Sequence, residues 1–128
     1  MEKKDELIAA VDAGTTGTRC CIFDRTGKIV SSGYCPMKTL YPGPGLAEQD
    51  PNLVISLTFH AVKLAAAEID PSQIVGLCIT VQRNSFLPVD SSGHFLSNMI
   101  IWQDQRGKEV HPWMIDRLKA SGLTLEDF

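Results

Sequence analysis

Eight consecutive residues, Ile74-Val-Gly-Leu-Cys-Ile-Thr-Val81, are almost continuously apolar or β-branched. Branched side chains are stiff at χ1 and sit well on a pleated surface, so the run favours extended backbone. It lacks the apolar–polar alternation of a half-buried strand, so a strand covered on both faces, as in a parallel sheet, is expected. A parallel strand cannot be reached by a tight turn. It needs a long crossover, usually a helix.

The upstream sequence supplies both partners and crossover. Leu7 to Val11 is an apolar run that ends at Asp12, followed by Ala13-Gly-Thr-Thr-Gly-Thr18 and a second run from Arg19 to Asp24. Asp24-Arg-Thr-Gly27 is another turn signal, with a third extended stretch behind it. Three strands, 7–12, 18–24 and 27–35, joined by tight turns make an antiparallel meander. Two prolines and two glycines in Tyr41-Pro-Gly-Pro-Gly-Leu-Ala-Glu-Gln-Asp50 make 41–50 a loop. Asp50-Pro51 then reads as a helix start, a side-chain acceptor followed by a residue pre-set for the first turn. Leu53, Leu57, Leu64 and Ala65, with Val54, Ala61 and Ala67 beside them, carry an amphipathic helix to about Ile69, where Asp70-Pro71 stops it.

Beyond the central run, Phe86–Val89 reads as a short strand, Asp90-Ser-Ser-Gly93 as a turn and Met99–Trp102 as another strand. Gln105–Lys119 reads as helical, with Pro112 as an interruption, and Thr124-Leu-Glu-Asp127 has the form of a capping box. The expected fold class is α/β with a mixed sheet. Three antiparallel strands extend into parallel partners at 74–81 and 99–102, and helix 51–69 crosses between them in the right-handed sense.

Composition excludes several function classes. The 128 residues make about one small domain, and 44% hydrophobic with 21% charged residues is ordinary for a globular chain. A net charge of −3 with no basic run gives no sign of nucleic acid as a partner. No stretch approaches the roughly eighteen apolar residues that span a bilayer, so no membrane is expected. Met1–Glu6 carries both signs of charge and no apolar stretch, unlike a signal peptide, and a cytoplasmic protein is the simplest reading. Cys20, Cys21, Cys35 and Cys78 form no C-x-x-C pair and have no histidine at a ligand offset, so they are expected to be small buried hydrophobes.

The segment richest in chemistry is Asp12-Ala-Gly14-Thr15-Thr16-Gly17-Thr18-Arg19. A glycine-containing turn between strands can point several backbone N–H groups one way and so make a concave anion site. The hydroxyls of Thr15, Thr16 and Thr18 add donors, and Arg19 adds a planar cation suited to phosphate. Asp12 at the strand end could hold Mg2+ directly or through water. The segment matches neither G-x-x-x-x-G-K-[ST] nor G-x-G-x-x-G. The plain alternative is a hairpin turn rich in Gly and Thr.

Asp12-Ala-Gly-Thr-Thr-Gly-Thr-Arg19 resembles the phosphate-binding hairpin of the FGGY carbohydrate kinases, within the sugar kinase/hsp70/actin superfamily. Three further segments are similar to stretches of that family, glycerol kinases above all, and fall in the family's order. They are Tyr41-Pro-Gly-Pro-Gly-Leu-Ala-Glu-Gln-Asp-Pro51, Ile79-Thr-Val-Gln-Arg83 and Ile101-Trp-Gln-Asp-Gln-Arg106. Together they cover nearly the whole chain. The resemblance implies a ribonuclease H-like (actin-like ATPase) fold, with 1–128 as the N-terminal portion of the kinase's N-terminal domain. It implies that the catalytic Asp and the C-terminal ATP-binding domain lie downstream, so no catalytic residue is expected within this chain.

What the family does implies the site. Asp12, Gly14, Thr15, Thr16, Gly17 and Arg19 would bind the phosphates of ATP, with Mg2+ at Asp12. Gln82, Arg83, Asn84, Trp102 and Asp104 would bind a small sugar or polyol. Gln82-Arg83-Asn84 follows the central strand, where open α/β sheets gather ligands; the plain alternative is a solvated polar loop. Trp102 offers a flat wall and one N–H donor, or serves the core. Glycerol kinases carry Glu where Asn84 stands, and an uncharged amide reads a different hydroxyl pattern, which argues against plain glycerol. Arg106 is expected to brace its loop, Glu48 to anchor the Pro/Gly loop, Asp50 to cap the helix and Trp113 to pack. His60, His94 and His111 have no partner pattern. The implied activity is ATP-dependent phosphorylation of a sugar or polyol by the full-length protein, with a homo-oligomer left open and the 128 residues inactive alone. A non-catalytic ATP-binding regulator or scaffold of the actin/hsp70-like superfamily is the alternative; Gln82-Arg83 and Trp102-Gln103 speak against it, since a scaffold needs no polyol pocket.

Overall fold

A computed structural model describes residues 6–124 and 126. The charged residues 1–5, and Leu125 and Asp127 of the expected capping box, lie outside the described residues.

The meander forms where the sequence places it. β1 (Leu7–Ala13), β2 (Gly17–Phe23) and β3 (Ile29–Pro36) pair antiparallel in succession. The turn between β2 and β3 is closed by Asp24, whose Oδ1 accepts from the Thr26 and Lys28 amides at 2.8 and 3.0 Å. The chain then runs through the Pro/Gly loop to β4 (Glu48–Gln49) and α1 (Pro51–Ala66). Asp50 caps α1 by accepting from the Asn52 amide at 2.9 Å. After a short 3-10 turn at Pro71–Gln73, β5 (Ile74–Val81) pairs in parallel with β1. The four-stranded sheet has the order β3-β2-β1-β5, so α1 is the crossover that parallel pairing requires.

The core lies between α1 and one sheet face, where Leu7, Ala9, Val11, Cys20, Ile22 and Cys35 meet Ala61 and Ala65. Leu53 and Leu64, expected on the packed face, are instead exposed. The helix lies so close to β3 that a Cβ on Gly33 would overlap the Ala61 carbonyl oxygen and come within 2.8 Å of the Ala65 nitrogen. Only alanine-sized side chains fit that seam. The helix also stops at Ala66, three residues before Ile69, and Asp70 caps the 3-10 turn instead.

Five further expectations are corrected. Val75, Leu77, Ile79 and Val81 of β5 are each about three-fifths exposed, because β5 is an edge strand and α1 packs over β2 and β3. Cys20 and Cys35 are buried, whereas Cys21 is half-buried and Cys78 exposed; both lie on the sheet face away from α1. Residues 99–102 do not join the parallel sheet. Only Met99–Ile100 is extended (β6), and it pairs antiparallel with β4 in a second, two-stranded sheet. The Pro/Gly loop therefore ends in a strand, while Phe86 and Val89 form only isolated bridges, to Ile100 and Phe95.

Past β6 a 3-10 turn at Arg106–Glu109 leads into α2 (His111–Ala120). Pro112 stands in the first turn of α2, where its missing N–H costs nothing, so it begins the helix and does not interrupt it. Trp113, expected to pack, is exposed, with the Arg117 guanidinium 5.5 Å from its ring centroid. No helix among the described residues is long and apolar enough to cross a membrane.

Candidate functional site

The first wall of the site is the β1–β2 turn. The Gly14 amide donates to the Gly17 carbonyl at 3.0 Å, which leaves Thr15 and Thr16 at the tip. Among the described residues, the Thr15 and Thr16 amides donate to no acceptor. The Thr16 carbonyl accepts from the Met37 amide at 2.9 Å and the Tyr34 hydroxyl at 3.1 Å, so the tip is braced from β3. Gly17 is glycine for lack of space: a Cβ there would lie 2.5 Å from the Tyr34 hydroxyl oxygen and 2.6 Å from the Cys35 carbonyl oxygen.

Side chains then divide by sheet face, since neighbours along a strand point opposite ways. Thr18 is fully buried toward α1, its hydroxyl 3.5 Å from that of Thr58, so the expectation that it faces a ligand fails on strand alternation. Asp12 pairs across with Arg19 and Thr80 on the opposite face. Its carboxylate makes no hydrogen bond or ion pair among the described residues. Arg19 is held with its guanidinium carbon 5.3 Å from the Tyr34 ring centroid, a cation–π contact.

A cavity of about 380 Å³ opens beside the turn, lined by Asp12, Gly14, Thr15, Val81, Gln82, Arg83, Asn84 and Trp102. Of the eleven residues that the sequence nominates, seven meet there: Asp12, Gly14, Thr15, Gln82, Arg83, Asn84 and Trp102. Thr16, Gly17, Arg19 and Asp104 do not line it. Arg19 instead borders a shallower hollow of about 250 Å³ on the open sheet face, which shares Asp12 with the first. Asn84 has φ 56°, in the left-handed region. Asn tolerates that region better than most side chains, and non-glycine residues held there tend to sit at ligand clamps.

Hydrogen bonds tie the walls together. The Trp102 indole N–H donates to the Thr15 hydroxyl at 2.9 Å, and that hydroxyl donates to the Gln82 side-chain carbonyl at 3.0 Å. Gln82 donates to Gln49 Oε1 at 2.8 Å, and Gln49 Nε2 donates to the Thr15 backbone carbonyl at 2.7 Å. Gln49 is fully buried. Sequence reasoning passed over it between Glu48 and Asp50. Its one local mark is a third polar side chain ahead of the helix cap, and the partners that give it meaning are distant in sequence.

Asp104 sits behind the site. Its Oδ2 accepts from the Ala47 amide at 2.7 Å, and its Oδ1 from Arg106 Nε at 2.7 Å. Arg106 Nη2 donates to Glu48 Oε1 at 2.6 Å, and Asn98 Nδ2 donates to Glu48 Oε2 at 3.0 Å. Arg106 thus braces its loop and Glu48 anchors the Pro/Gly loop. The Arg106 hydrogen bond holds the Asp104 carboxyl far below the usual carboxylate range, with the Ala47 amide adding to it. Arg106 also lowers Glu48, with Asn98 adding to it, and the two carboxylates raise Arg106 in turn. Both Asp104 oxygens are committed, which makes it a strap between loops.

Residues 7–123 match the N-terminal domain of the FGGY family of carbohydrate kinases. The chain is 39% identical over 108 residues to a glycerol kinase of Thermococcus onnurineus, covering 83% of this chain and 22% of that protein. It is 37% identical over 123 residues to a glycerol kinase of Haloferax volcanii, covering 94% of this chain and 23% of that one. Among solved structures, a gluconate kinase from Lactobacillus acidophilus superposes with a TM-score of 0.79 at 26% identity, covering 92% of this chain and 23% of the other. The chain spans less than a quarter of the length of the curated relatives it matches.

Proposed function

Since this chain belongs to the FGGY family of carbohydrate kinases, we propose that it is the N-terminal portion of an enzyme that transfers the terminal phosphoryl group of ATP to a hydroxyl of a sugar or polyol. The observation that carries the reading is the single cavity in which a free carboxylate, a glycine turn, a polar Gln-Arg-Asn corner and a tryptophan meet.

The residues suit the groups such a reaction needs. Asp12 has an uncommitted carboxylate, and the Thr15 and Thr16 amides are unclaimed donors of the kind that cradle phosphate oxygens. Asp12 brings one carboxylate to the cavity, and magnesium commonly binds through one or two carboxylates together with substrate phosphates. When bound, Mg2+ with ATP supplies the transferable phosphoryl group and neutralises charge on it.

The chain's own side chains would position the acceptor. Arg83 is exposed and makes no hydrogen bond among the described residues, so its fork is free to donate to hydroxyl oxygens. Asn84 both donates and accepts. Trp102 provides the apolar wall for a carbon face, since its N–H is already used. Asp104 would support this pocket from behind without touching the acceptor. The base that takes the hydroxyl proton is assigned to the downstream half, so the 128 residues alone should not turn over. Four unpaired cysteines fit a reducing compartment, and the proposed setting is the cytoplasm.

The test is ADP release by the full-length protein with ATP and magnesium, against a panel of polyols, ketoses and sugar acids. Acceptor-dependent ADP release with at least one member is expected. Failure of the whole panel to raise ADP above the acceptor-free rate would refute the kinase reading.

A further inference from the structure

Gln49 lines no part of the cavity, yet its carboxamide completes a circuit that starts and ends at Thr15. The direction of every bond in that circuit is fixed, because its two ends cannot change role. An indole nitrogen only donates, so the Thr15 hydroxyl accepts from Trp102, and the direction of its own proton follows from which Gln82 atom faces it. A peptide carbonyl only accepts, so Gln49 must turn Nε2 toward the Thr15 carbonyl and Oε1 toward Gln82. Gln82 is held at both ends of its amide. Its Oε1 accepts from the Thr15 hydroxyl, and one Nε2 hydrogen is given to Gln49.

Among the described residues the remaining Nε2 hydrogen of Gln82 has no acceptor, and Gln82 borders the cavity. The second Gln49 hydrogen has its own candidate acceptor, Thr39 Oγ1 at 3.5 Å, and Thr39 does not line the cavity. With Gln49 absent, the Gln82 amide could rotate by half a turn and offer a carbonyl to the ligand. The buried amide behind the wall therefore decides what the wall displays.

We propose that Gln49 is a positioning residue that locks the Gln82 amide so that an N–H, and not a carbonyl, faces the bound ligand. The ligand group at that point is then an acceptor, a hydroxyl, carbonyl or carboxylate oxygen. This rests on reading the cavity as a sugar or polyol site. Its test uses neither nucleotide nor acceptor, so it can fail separately from the kinase reading.

The experiment is nitrogen–proton NMR on the full-length protein, with the Trp102 indole signal assigned by its loss in Trp102→Phe. In the unsubstituted chain, one Gln82 side-chain hydrogen is expected to exchange slowly with solvent and its partner quickly. Equal exchange of the two would overturn the lock. Gln49→Met keeps length and volume but removes both bonds. It is expected to release Gln82, move the Trp102 indole proton upfield, and do so only where Thr15 carries its hydroxyl, with no such shift in a Thr15→Val background. A folded Gln49→Met chain with an unmoved indole signal, or with the same shift in both backgrounds, would overturn the role. If Gln49→Met does not fold, the exchange measurement on the unsubstituted chain decides alone.

Discussion

Trp102 gives its indole N–H to the hydroxyl of Thr15 at 2.9 Å, although 87 residues separate the two in sequence. The bond joins the segment after β6 to the glycine turn, so one contact ties two walls of the cavity together.

Trp102→Phe keeps most of the apolar wall and deletes the donor. The lost neutral hydrogen bond should cost about 1 kcal/mol in urea unfolding of the chain. In the full-length protein the acceptor KM should rise several-fold while kcat changes less. An unchanged KM would separate the tryptophan from acceptor binding.

Gly33→Ala and Gly27→Ala should differ sharply. At Gly33 the new methyl would strike helix backbone, which has no flexible end to move aside, and a loss of about 3 kcal/mol or more is expected, at the upper end of overpacking costs. At Gly27 the space is empty, and only φ +84° must be borne, for roughly 1–2 kcal/mol. Thermal unfolding of the two variants gives the order directly.

The Glu48–Arg106–Asp104 cluster predicts an acid weakness. Both carboxyls are lowered in the folded chain, so the unfolded chain binds protons more readily. Their stabilisation is present above the ordinary values of 4.5 and 3.8 and is lost as pH falls through and below them. Arg106→Met should be less stable than the parent at neutral pH. The gap should close in acid, as read from urea midpoints across that range.

Asp12→Asn separates chemistry from stability. The carboxylate has no partner among the described residues, so unfolding should shift by no more than about 0.5 kcal/mol. ATP turnover by the full-length protein should fall by about a hundredfold or more if this carboxylate serves the magnesium–phosphate assembly. A variant that keeps its rate would exclude Asp12 from that assembly.

What the sequence reveals and hides follows the range of the forces involved. The meander, the α1 start at Asp50-Pro51 and the β5 run were legible because patterning and turn chemistry are local. Seven of the nominated residues meet in one cavity because the resemblance carried long-range information that no local pattern holds. The face of α1 was misjudged because backbone proximity at Gly33 selects for small size, and hydropathy does not register size. Met99–Ile100 was assigned to the wrong sheet because its partner, Glu48–Gln49, lies inside a loop some fifty residues earlier. Gln49 escaped notice for the same reason: a buried amide is recognised by its partners.

The β4–β6 ladder is only two residues long on each side and joins distant parts of the chain. Its loop entropy is offset by a short ladder and by polar side-chain bonds of Glu48, Gln49 and Asp104, all of high sequence separation, so it should form after the meander and α1 have condensed. It should also fray first. Amide exchange at Gln49 and Met99, which pair across the ladder, should then run faster than in β1 and β2.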